Sequence, residues 1–504
     1  MGIIHLLICL LLSCSRRDDN HDEPYANRRY PQPYAPRLPA ELLSYIFILG
    51  AQDDPVLPLI VSHVCRSWRN LALHTPSLWR FIALDARLRL WAEYIRRARA
   101  CTLDIQLTPR GQLGYYTTSI PRNRTHGRHY LGAQSVQLYI QCVAPHIPRW
   151  RSLEIEFRHY APYLWNAALS PCCGHGPALY ASQLERLSLI HPHNDDTKEF
   201  LLFGGYAPKL RHVTIHGIRL TWLPSLYSNL TVLDYTHHGF TRGSDAAAEL
   251  LYMLQTSNQV RDLRVSLPSR VGAHTSYPVK FPAEESVLLA QLRTLEIVID
   301  DADLPSAMIY FIAHISVPAL HTLRLLMASS TQPSLRHGSA DPSSRLRHFL
   351  KALPRLYTVR HLELEHTWLS DQRFLFMLLH VVPSLTHLTL RGGRYVTNSI
   401  LFDLCEILRA RYRSSPNYPL VLNVLEFDHC DGITAGALVD VVRHRLDSGG
   451  RRGGPCVRTL CVRDCAGVDV AALKRFQLVS FGVRLRVWWK GEELDIMAAQ
   501  RTHR

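Results

Sequence analysis

One short segment of the sequence groups residue types that can bind a metal ion. Residues 171–175 read Pro-Cys-Cys-Gly-His and place two thiols and an imidazole close together. A structural zinc site needs four such ligands, arranged as two pairs roughly a dozen residues apart, and this segment has no second pair at that distance. We therefore predict a loop here and no metal site.

The rest of the chain lacks motifs for catalysis. The sequence contains no P-loop, no G-x-S-x-G motif and no H-E-x-x-H motif, the spacings that position a phosphate, a nucleophilic serine or a zinc ion. Its 27 histidines are scattered, and the pair His237-His238 is interpreted as a turn after a strand. We predict that the protein is not an enzyme and has no cofactor.

The composition predicts a folded protein with a basic surface. Hydrophobic residues make up 47% of the 504 residues and charged residues 20%, as in ordinary globular domains. The formal net charge of +15 favours acidic partners. The arginines are spread along the chain without a run of five basic residues, so nucleic acid is not an expected partner. The 12 cysteines are too few for a disulfide scaffold and indicate a reducing compartment.

The N-terminus points to a different compartment. Residues 3–12 form an apolar run of ten residues, which is too short to cross a bilayer as a helix, so a membrane is not an expected partner. The run has the length of the apolar part of a signal peptide, but no Lys or Arg precedes it and no small-residue cleavage site follows it. Residues 15–36 are polar and contain prolines, and we interpret residues 1–36 as an apolar run with a flexible lead-in.

Two or three short helices are predicted after this lead-in. Within residues 40–50, adjacent pairs of apolar residues recur four positions apart. This spacing is typical of an amphipathic helix that starts after Pro39. A second helix is predicted over residues 57–73, where apolar residues recur every four positions. So small a unit buries little surface by itself, and we expect it to need a partner.

The segment from residue 37 to residue 84 resembles the F-box. The matching residues are Leu38, Pro39, Glu41, Leu42, Leu43, Ile46, Phe47, Val64, Cys65, Arg66, Trp68, Arg69, Ala72, Pro76, Leu78 and Trp79. The ending Thr-Pro-x-Leu-Trp is similar to a form that is abundant in mushroom-forming fungi. Residues 91–107 are also similar, as a helix that leads into a first strand.

The resemblance implies a partner and a function. F-box proteins dock a Skp-type adaptor, which links them to a cullin, a RING subunit and a charged E2, and they recruit a protein substrate for ubiquitination in the cytoplasm or nucleus. The adaptor-binding residues that the resemblance implies are Leu38, Pro39, Leu42, Leu43, Ile46, Phe47, Val64, Cys65 and Trp68. Some of these can instead be internal packing of the helices.

Beyond residue 84 the pattern L-x-x-L-x-L recurs. Eleven copies follow a weaker one at residues 100–105, and their central residues lie 20 to 39 residues apart. This pattern is the strand core of a leucine-rich repeat. The central residues are Leu153, Leu187, Val213, Leu233, Leu263, Leu295, Leu323, Leu362, Leu388, Leu425 and Leu460. Helices are predicted between strands, among them residues 246–255, 374–382 and 401–410.

The predicted fold class is α/β. A short N-terminal helical F-box (residues 37–84) is followed by an irregular leucine-rich-repeat-like solenoid of parallel strands alternating with helices (residues 85–490). A plain α/β domain with a parallel sheet is the competing prediction. Residues 108–149 break the period and are interpreted as a basic insertion or mobile loop, and residues 491–504 as a C-terminal tail.

The repeats are predicted to bind a protein substrate. In each strand the leucines point inward and the residues between them outward, and the outward set is polar and mixed in charge. The candidate substrate-binding residues are Arg186, His212, Arg264, Arg324, His361 and His387. Cys430 and Cys465 lie at matching positions of two repeats that resemble a cysteine-containing subtype common in F-box proteins, which implies a structural role inside the coil.

Two alternatives stay open. The chain can be an F-box protein that binds the adaptor alone and acts outside a ligase. It can also be a secreted or surface leucine-rich-repeat binding protein whose F-box resemblance is coincidental. Residues 3–12 and the N-x-S/T sequons at Asn123 and Asn229 are the features that bear on secretion.

Overall fold

The computed structural model describes most of the chain between residues 38 and 494. The described residues are 38–108, 131–159, 162–194, 196–241, 243–267, 286–299, 304–327, 342–353, 356–365, 372–392, 396–404, 406, 422–446, 457–469, 484–489 and 492–494. The predicted apolar run and lead-in (1–36) and the sequon at Asn123 lie outside them. No helix in the described part of the chain is long and apolar enough to cross a membrane.

The chain folds into two compact units. Unit 1 contains residues up to 214 together with 218–226, and unit 2 contains 215–217 together with the residues from 227 onward. Unit 1 starts with a helical part whose elements are α1 (Ala40–Asp53), α2 (Leu57–Ser62), α3 (Arg66–Leu73) and a 3-10 turn (Pro76–Trp79).

The predicted second helix over residues 57–73 is wrong in one respect, because the chain breaks it into α2 and α3. Cys65 is extended at φ −154° and ψ 171°, and its Sγ accepts a hydrogen bond from the backbone N–H of Trp68 at 3.5 Å. A side chain that caps the first turn in this way starts a new helix. Phe47 packs on Trp68 with ring centroids 4.9 Å apart, so α1 and α3 share one small core.

The remaining elements that begin in unit 1 alternate strands and helices. They are β1 (Phe81–Ala83), α4 (Leu88–Arg97), β2 (Leu103–Leu107), α5 (Ala133–Val143), β3 (Trp150–Glu156), α6 (Leu164–Leu169), β4 (Arg186–Ile190), β5 (Glu199–Phe200), β6 (His212–His216), β7 (Arg219–Leu220) and α7 (Pro224–Tyr227). Strands β1 to β4 are parallel neighbours in chain order, with Ile105, Leu153 and Leu187 in register. Strand β5 pairs with β7.

The interpretation of residues 108–149 as a loop is wrong for the part that the structure describes. Residues 133–143 form α5, and residues 144–149 form a 3-10 turn. Val136, Ile140 and Val143 follow each other at helical spacing, and all three are buried. An apolar stripe at this spacing stabilises a helix on the core, and the basic composition of the neighbouring residues obscured it.

Unit 2 repeats the alternation on a larger scale. Its elements are β8 (Val232–Thr236), α8 (Gly243–Thr256), β9 (Asp262–Ser266), β10 (Val287–Leu288), β11 (Thr294–Ile299), α9 (Ser306–Ala313), β12 (Ile315–Ser316), β13 (Thr322–Met327), α10 (Pro342–Ala352), β14 (His361–Glu365), α11 (Gln372–Val381), β15 (His387–Arg391), β16 (Leu422–Asp428), α12 (Ala435–Leu446), β17 (Val457–Arg463), β18 (Arg484–Trp489) and β19 (Glu492–Leu494). Helix α8 contacts α9, α9 contacts α10, and α10 contacts α11.

A large parallel sheet forms the centre of unit 2. Strands β8, β9, β11, β13, β14, β15, β16, β17 and β18 are parallel neighbours in that order. The short strands β10 and β12 form a separate parallel pair. Strand β19 pairs antiparallel to β18, so the prediction of a plain tail from residue 491 is wrong for residues 492–494.

The repeated leucine fixes the register of this sheet. The central leucines from Leu233 to Leu460 lie opposite one another in consecutive strands, and each is at most 1% exposed. Every copy of the L-x-x-L-x-L pattern is a strand, and the helices predicted at 246–255 and 374–382 coincide with α8 and α11. Of the helix predicted at 401–410, residues 401–404 are helical and most of the others lie outside the described part.

Cys430 and Cys465 are buried, as the sequence predicts, with exposures of 0% and 3%. Each follows a residue with a left-handed backbone, His429 (φ 51°) or Asp464 (φ 47°). The backbone N–H of Cys430 donates to Sγ of Cys465 at 3.3 Å. The contact with the Cys465 thiol, together with burial, raises the pKa of the Cys430 thiol, so this side chain stays protonated and structural.

Candidate functional site

An exposed apolar stripe runs along the first helix of unit 1. We define the stripe as Leu38, Leu42 and Tyr45, whose exposures are 38%, 52% and 60%. The three residues follow each other at four and three positions, which brings them to one face of α1 and of the turn before it. Among residues 38–108, these are the large apolar side chains that are more than a third exposed. Contiguous exposed apolar surface marks an interaction site.

The structure divides the predicted adaptor-binding residues into three groups. Leu38, Pro39 and Leu42 are exposed, and Phe47 is fully buried. The half-buried residues of the set are Leu43, Ile46, Val64, Cys65 and Trp68. Phe47 therefore packs inside the helical part rather than facing a partner. The sequence analysis missed Tyr45, although its position three residues after Leu42 is the signal that could have found it.

Helix α4 supports the helical part from within unit 1. Tyr94 contacts Trp79 edge-on with ring centroids 4.9 Å apart, and the guanidinium of Arg97 lies 4.4 Å from the Trp79 ring centroid. Trp79 also donates its indole N–H to the carbonyl of Ala72 at 2.8 Å. These buried aromatic contacts fix the helices as a rigid base for the stripe.

The second candidate surface is a row of alternating charges on the sheet of unit 2. We define the ion-pair ladder as seven residues on consecutive strands: Asp234, Arg264, Glu296, Arg324, Glu363, Arg391 and Asp428. The first five directly follow the central leucines, so the leucine register places them side by side. This position after each leucine is the sequence signal for the alternation.

Each interior member of the ladder contacts both of its neighbours. Arg264 lies 3.8 Å from Asp234 and 3.0 Å from Glu296. Arg324 bridges Glu296 at 3.5 Å and Glu363 at 3.1 Å. Arg391 bridges Glu363 at 2.7 Å and Asp428 at 2.9 Å. Burial opposes ionisation of Arg391, but Glu363 and Asp428 outweigh it and raise the pKa of Arg391.

The predicted substrate-binding residues fall into different environments. Arg264 and Arg324 belong to the ladder. His361 and His387 lie opposite each other on β14 and β15 with ring centroids 5.8 Å apart, and burial lowers the pKa of His361. His212 is exposed on β6.

Arg186 lines a groove of about 450 Å³ within unit 1. The groove also contains Asp104, which is 8% exposed and accepts two hydrogen bonds from Arg151 at 2.9 and 2.7 Å and one from Ser152 at 2.7 Å. Arg80 adds an ion pair to the same carboxylate at 2.9 Å. Within the described residues Arg186 has no ion-pair partner, so Asp104 is saturated while this cation of the groove is not.

One group of side chains has the donor types of a metal site. His237, His238 and Glu249 bring three possible ligand atoms within 4.8 Å of one another. The two histidines follow strand β8, where the sequence analysis interpreted them as a turn. The 171–175 segment is not part of any such group among the described residues, and Cys172 is buried in a 3-10 turn there.

The hydrogen bonds of the two histidines identify their tautomers. Nδ1 of His237 and of His238 each accept a backbone N–H at 3.0 Å, from Gly239 and Phe240. Nε2 of His238 faces Glu249 at 3.2 Å, and Nε2 of His237 faces Thr241 at 2.8 Å. The protons therefore lie on Nε2, whereas a metal on Nε2 requires the proton on Nδ1. The donor set is arranged as a hydrogen-bond network and does not fit a metal.

Two comparisons with known proteins bear on these surfaces. A family model described as F-box-like matches residues 35–85, which include the stripe and helices α1 to α3. The chain therefore carries an F-box-like domain at its helical start. No curated protein shows significant similarity to the chain.

Proposed function

We propose that this protein is the substrate-recruiting subunit of an SCF-type ubiquitin ligase and not itself an enzyme. The observation that carries the proposal is the exposed apolar stripe inside the F-box-like domain. F-box domains in general bind Skp-type adaptors, and an exposed leucine pair is the kind of surface that such a partner covers. The adaptor would link the chain to a cullin and a RING subunit in the cytoplasm or nucleus.

The substrate would bind to the polar faces of the strands. We propose that the strand and helix repeats form a leucine-rich-repeat-like solenoid, which is supported by the in-register leucines of unit 2. Tethering a substrate near the E2 raises the effective concentration of the substrate, and the tethering protein does not itself catalyse the transfer. Arg264, Arg324, His361 and His387 stand on the polar face of unit 2, and Arg186 lines the groove of unit 1.

The test is a pull-down of the Skp-type adaptor with the full chain. The double variant Leu38→Ala with Leu42→Ala removes two members of the stripe and should abolish capture. Leu138→Ala is a matched control, because Leu138 is 54% exposed on α5 outside the F-box-like domain. Retained capture by the double variant would reject the stripe as the docking site.

The same purification separates the alternatives. Cullin and RING subunits that co-purify with the adaptor support a role inside a ligase, whereas adaptor without cullin supports an F-box protein acting outside one. The secreted or surface binder predicts no adaptor at all and cleavage after the N-terminal apolar run. N-terminal sequencing of the protein from cell medium would detect that cleavage.

A further inference from the structure

The three arginines of the ladder share one bonding pattern. In each, the shortest contact to the acid on the preceding strand is made by Nη1, and the shortest contact to the acid on the following strand is made by Nε. Nη2 of Arg264, Arg324 or Arg391 donates no hydrogen bond to any described residue. Two acids therefore flank each guanidinium as ion-pair partners, and Nη2 is left for a further acceptor.

The arginines are also the exposed layer of the ladder. Their side chains are 46%, 39% and 38% exposed, whereas those of Asp234, Glu296, Glu363 and Asp428 are 21%, 15%, 7% and 14% exposed. A ligand that approaches the sheet meets guanidinium groups before carboxylates. Three arginines and four acids give the ladder a net charge of −1, so attraction has to come from oriented N–H groups at short range and not from a general positive field.

The spacing of the arginines selects the shape of a ligand. Arg264, Arg324 and Arg391 stand on β9, β13 and β15, which are every second strand of the sheet. Neighbouring strands lie about 4.8 Å apart, so the backbones of Arg264 and Arg324, which are in register, stand about 9.6 Å apart. A polyproline II peptide rises about 3.1 Å per residue with three residues per turn, which places every third side chain on one face at about 9.3 Å. In a β-strand every third side chain points to the opposite face.

Arg391 departs from this row by two residues along its strand, a displacement of about 6.6 Å. The residue that lies opposite Glu363 on β15 is Thr389, and Arg391 comes two positions later. The long side chain of Arg391 nevertheless reaches Glu363 at 2.7 Å. The line of guanidinium groups therefore runs obliquely across the strands, and a ligand with glutamate side chains has the reach to follow it.

We propose that the ladder face of unit 2 binds an extended acidic peptide in the polyproline II conformation, with a carboxylate at every third residue. Each carboxylate accepts hydrogen bonds from the Nη2 edge of one arginine, which is a charge-assisted contact. One such contact is weak because the arginine is already paired, and three joined contacts supply the affinity. The inference rests on the proposed function in that such a peptide would be the recognition element of the substrate.

The test uses synthetic peptides of defined spacing. Fluorescence anisotropy of the labelled peptide (Glu-Pro-Pro)4 is measured with the full chain at low salt and compared with (Glu-Pro-Pro-Pro)4 and (Lys-Pro-Pro)4, which carry the same number of charges. We expect the first peptide to bind at least about tenfold more tightly than the other two, and to be released at high salt because the contacts are ionic. Equal binding of the two acidic peptides, or no binding of either, would overturn the proposal.

Variants then locate the site. Arg324→Lys keeps the charge but replaces the rigid planar fork of donors with one flexible ammonium nitrogen, which has to serve both acids and the peptide. We therefore expect at least about fivefold weaker binding of (Glu-Pro-Pro)4. Arg261→Lys is the matched control, because Arg261 is exposed three residues before Arg264 and is not part of the ladder. Unchanged affinity of R324K would place the peptide elsewhere.

Two further measurements keep the outcomes separate. A thermal melt of each variant checks folding. If R324K has a lower melting temperature than the wild type, Arg264→Lys, at the more exposed end of the ladder, is used in its place. Adaptor capture is measured on the same samples. If a variant loses peptide binding but still captures the adaptor, the defect lies in the ladder alone. If the wild-type chain fails to capture the adaptor, the proposed function is rejected and this inference is not.

Discussion

The stripe of unit 1 and the ladder of unit 2 are two surfaces built in opposite ways. The stripe consists of apolar side chains that are exposed by 38 to 60%. They contribute to stability only when a partner covers them and removes them from water. The ladder consists of charges that already pair with one another across seven strands. Its charges are already paired in the free protein, so a ligand gains only what the remaining guanidinium N–H groups provide.

This difference implies two kinds of binding. A partner that buries exposed leucines and a tyrosine is stabilised by the hydrophobic effect and is not weakened by the screening of charges. A partner that adds carboxylates to paired arginines binds weakly, selectively and with strong dependence on salt. The first is the behaviour expected of a constant docking site, and the second is that expected of a site that discriminates among ligands.

The largest expected effect separates the stripe from the core beneath it. Phe47→Ala leaves a cavity beside Trp68 and should lower the free energy of unfolding by about 3 to 5 kcal/mol, because Phe47 is fully buried. Leu42→Ala should change it by less than about 1 kcal/mol, since Leu42 is half exposed. Chemical denaturation of both variants measures this, and similar losses would contradict the division between stripe and core.

The next effect tests whether the ladder stabilises unit 2. Glu363→Ala removes the acid shared by Arg324 and Arg391, and we expect a loss of about 2 kcal/mol, below the cost at a fully buried pair because both arginines are partly exposed. Asp262→Ala is the control, since Asp262 is an exposed acid on β9 outside the ladder. If both variants unfold at the same denaturant concentration, the ladder contributes no stability.

A third prediction extends the stripe to a residue that the sequence analysis missed. Tyr45→Ala should weaken adaptor binding about tenfold, equivalent to about 1.4 kcal/mol, without lowering the melting temperature. Tyr252→Ala is a matched control, because Tyr252 is 51% exposed on α8 in unit 2. Titration calorimetry with purified adaptor gives both affinities, and an unchanged affinity for Y45A would limit the stripe to its leucines.

The smallest effect concerns a charge in unit 2 outside the ladder. Burial opposes ionisation of Glu249, but its contacts with His237 and His238 outweigh burial and hold the pKa of this carboxyl below its ordinary range. A carboxyl with a depressed pKa in the folded state contributes its full share to the free energy of unfolding above its unfolded-state pKa of about 4.3. This contribution is lost as the pH falls below that value. The stability of Glu249→Gln should therefore depend less on pH between about 4 and 2 than that of the wild type. Parallel curves would assign the acid dependence to other carboxyls.

The sequence predicted the strands well because one buried residue repeats at a fixed place in each. Where a leucine is flanked by polar residues and followed two positions later by another apolar residue, the apolar side chains share one face only if the segment is a strand. Residues 133–149 were misjudged for another reason. The interpretation followed the basic residues before them and overlooked the helical spacing of Val136, Ile140 and Val143.

Within the candidate sites, the sequence by itself determined which residue types stand beside each leucine. The alternation from Asp234 to Glu363 can be read in this way, and so can the apolar character of Leu38 and Leu42. Only the tertiary structure decided that Arg391 and not Thr389 continues the ladder, because the choice depends on how far a side chain reaches across strands. It also decided that Phe47 is buried while Tyr45 is exposed, since the packing of Trp68 on α1 determines which side of that helix faces the core.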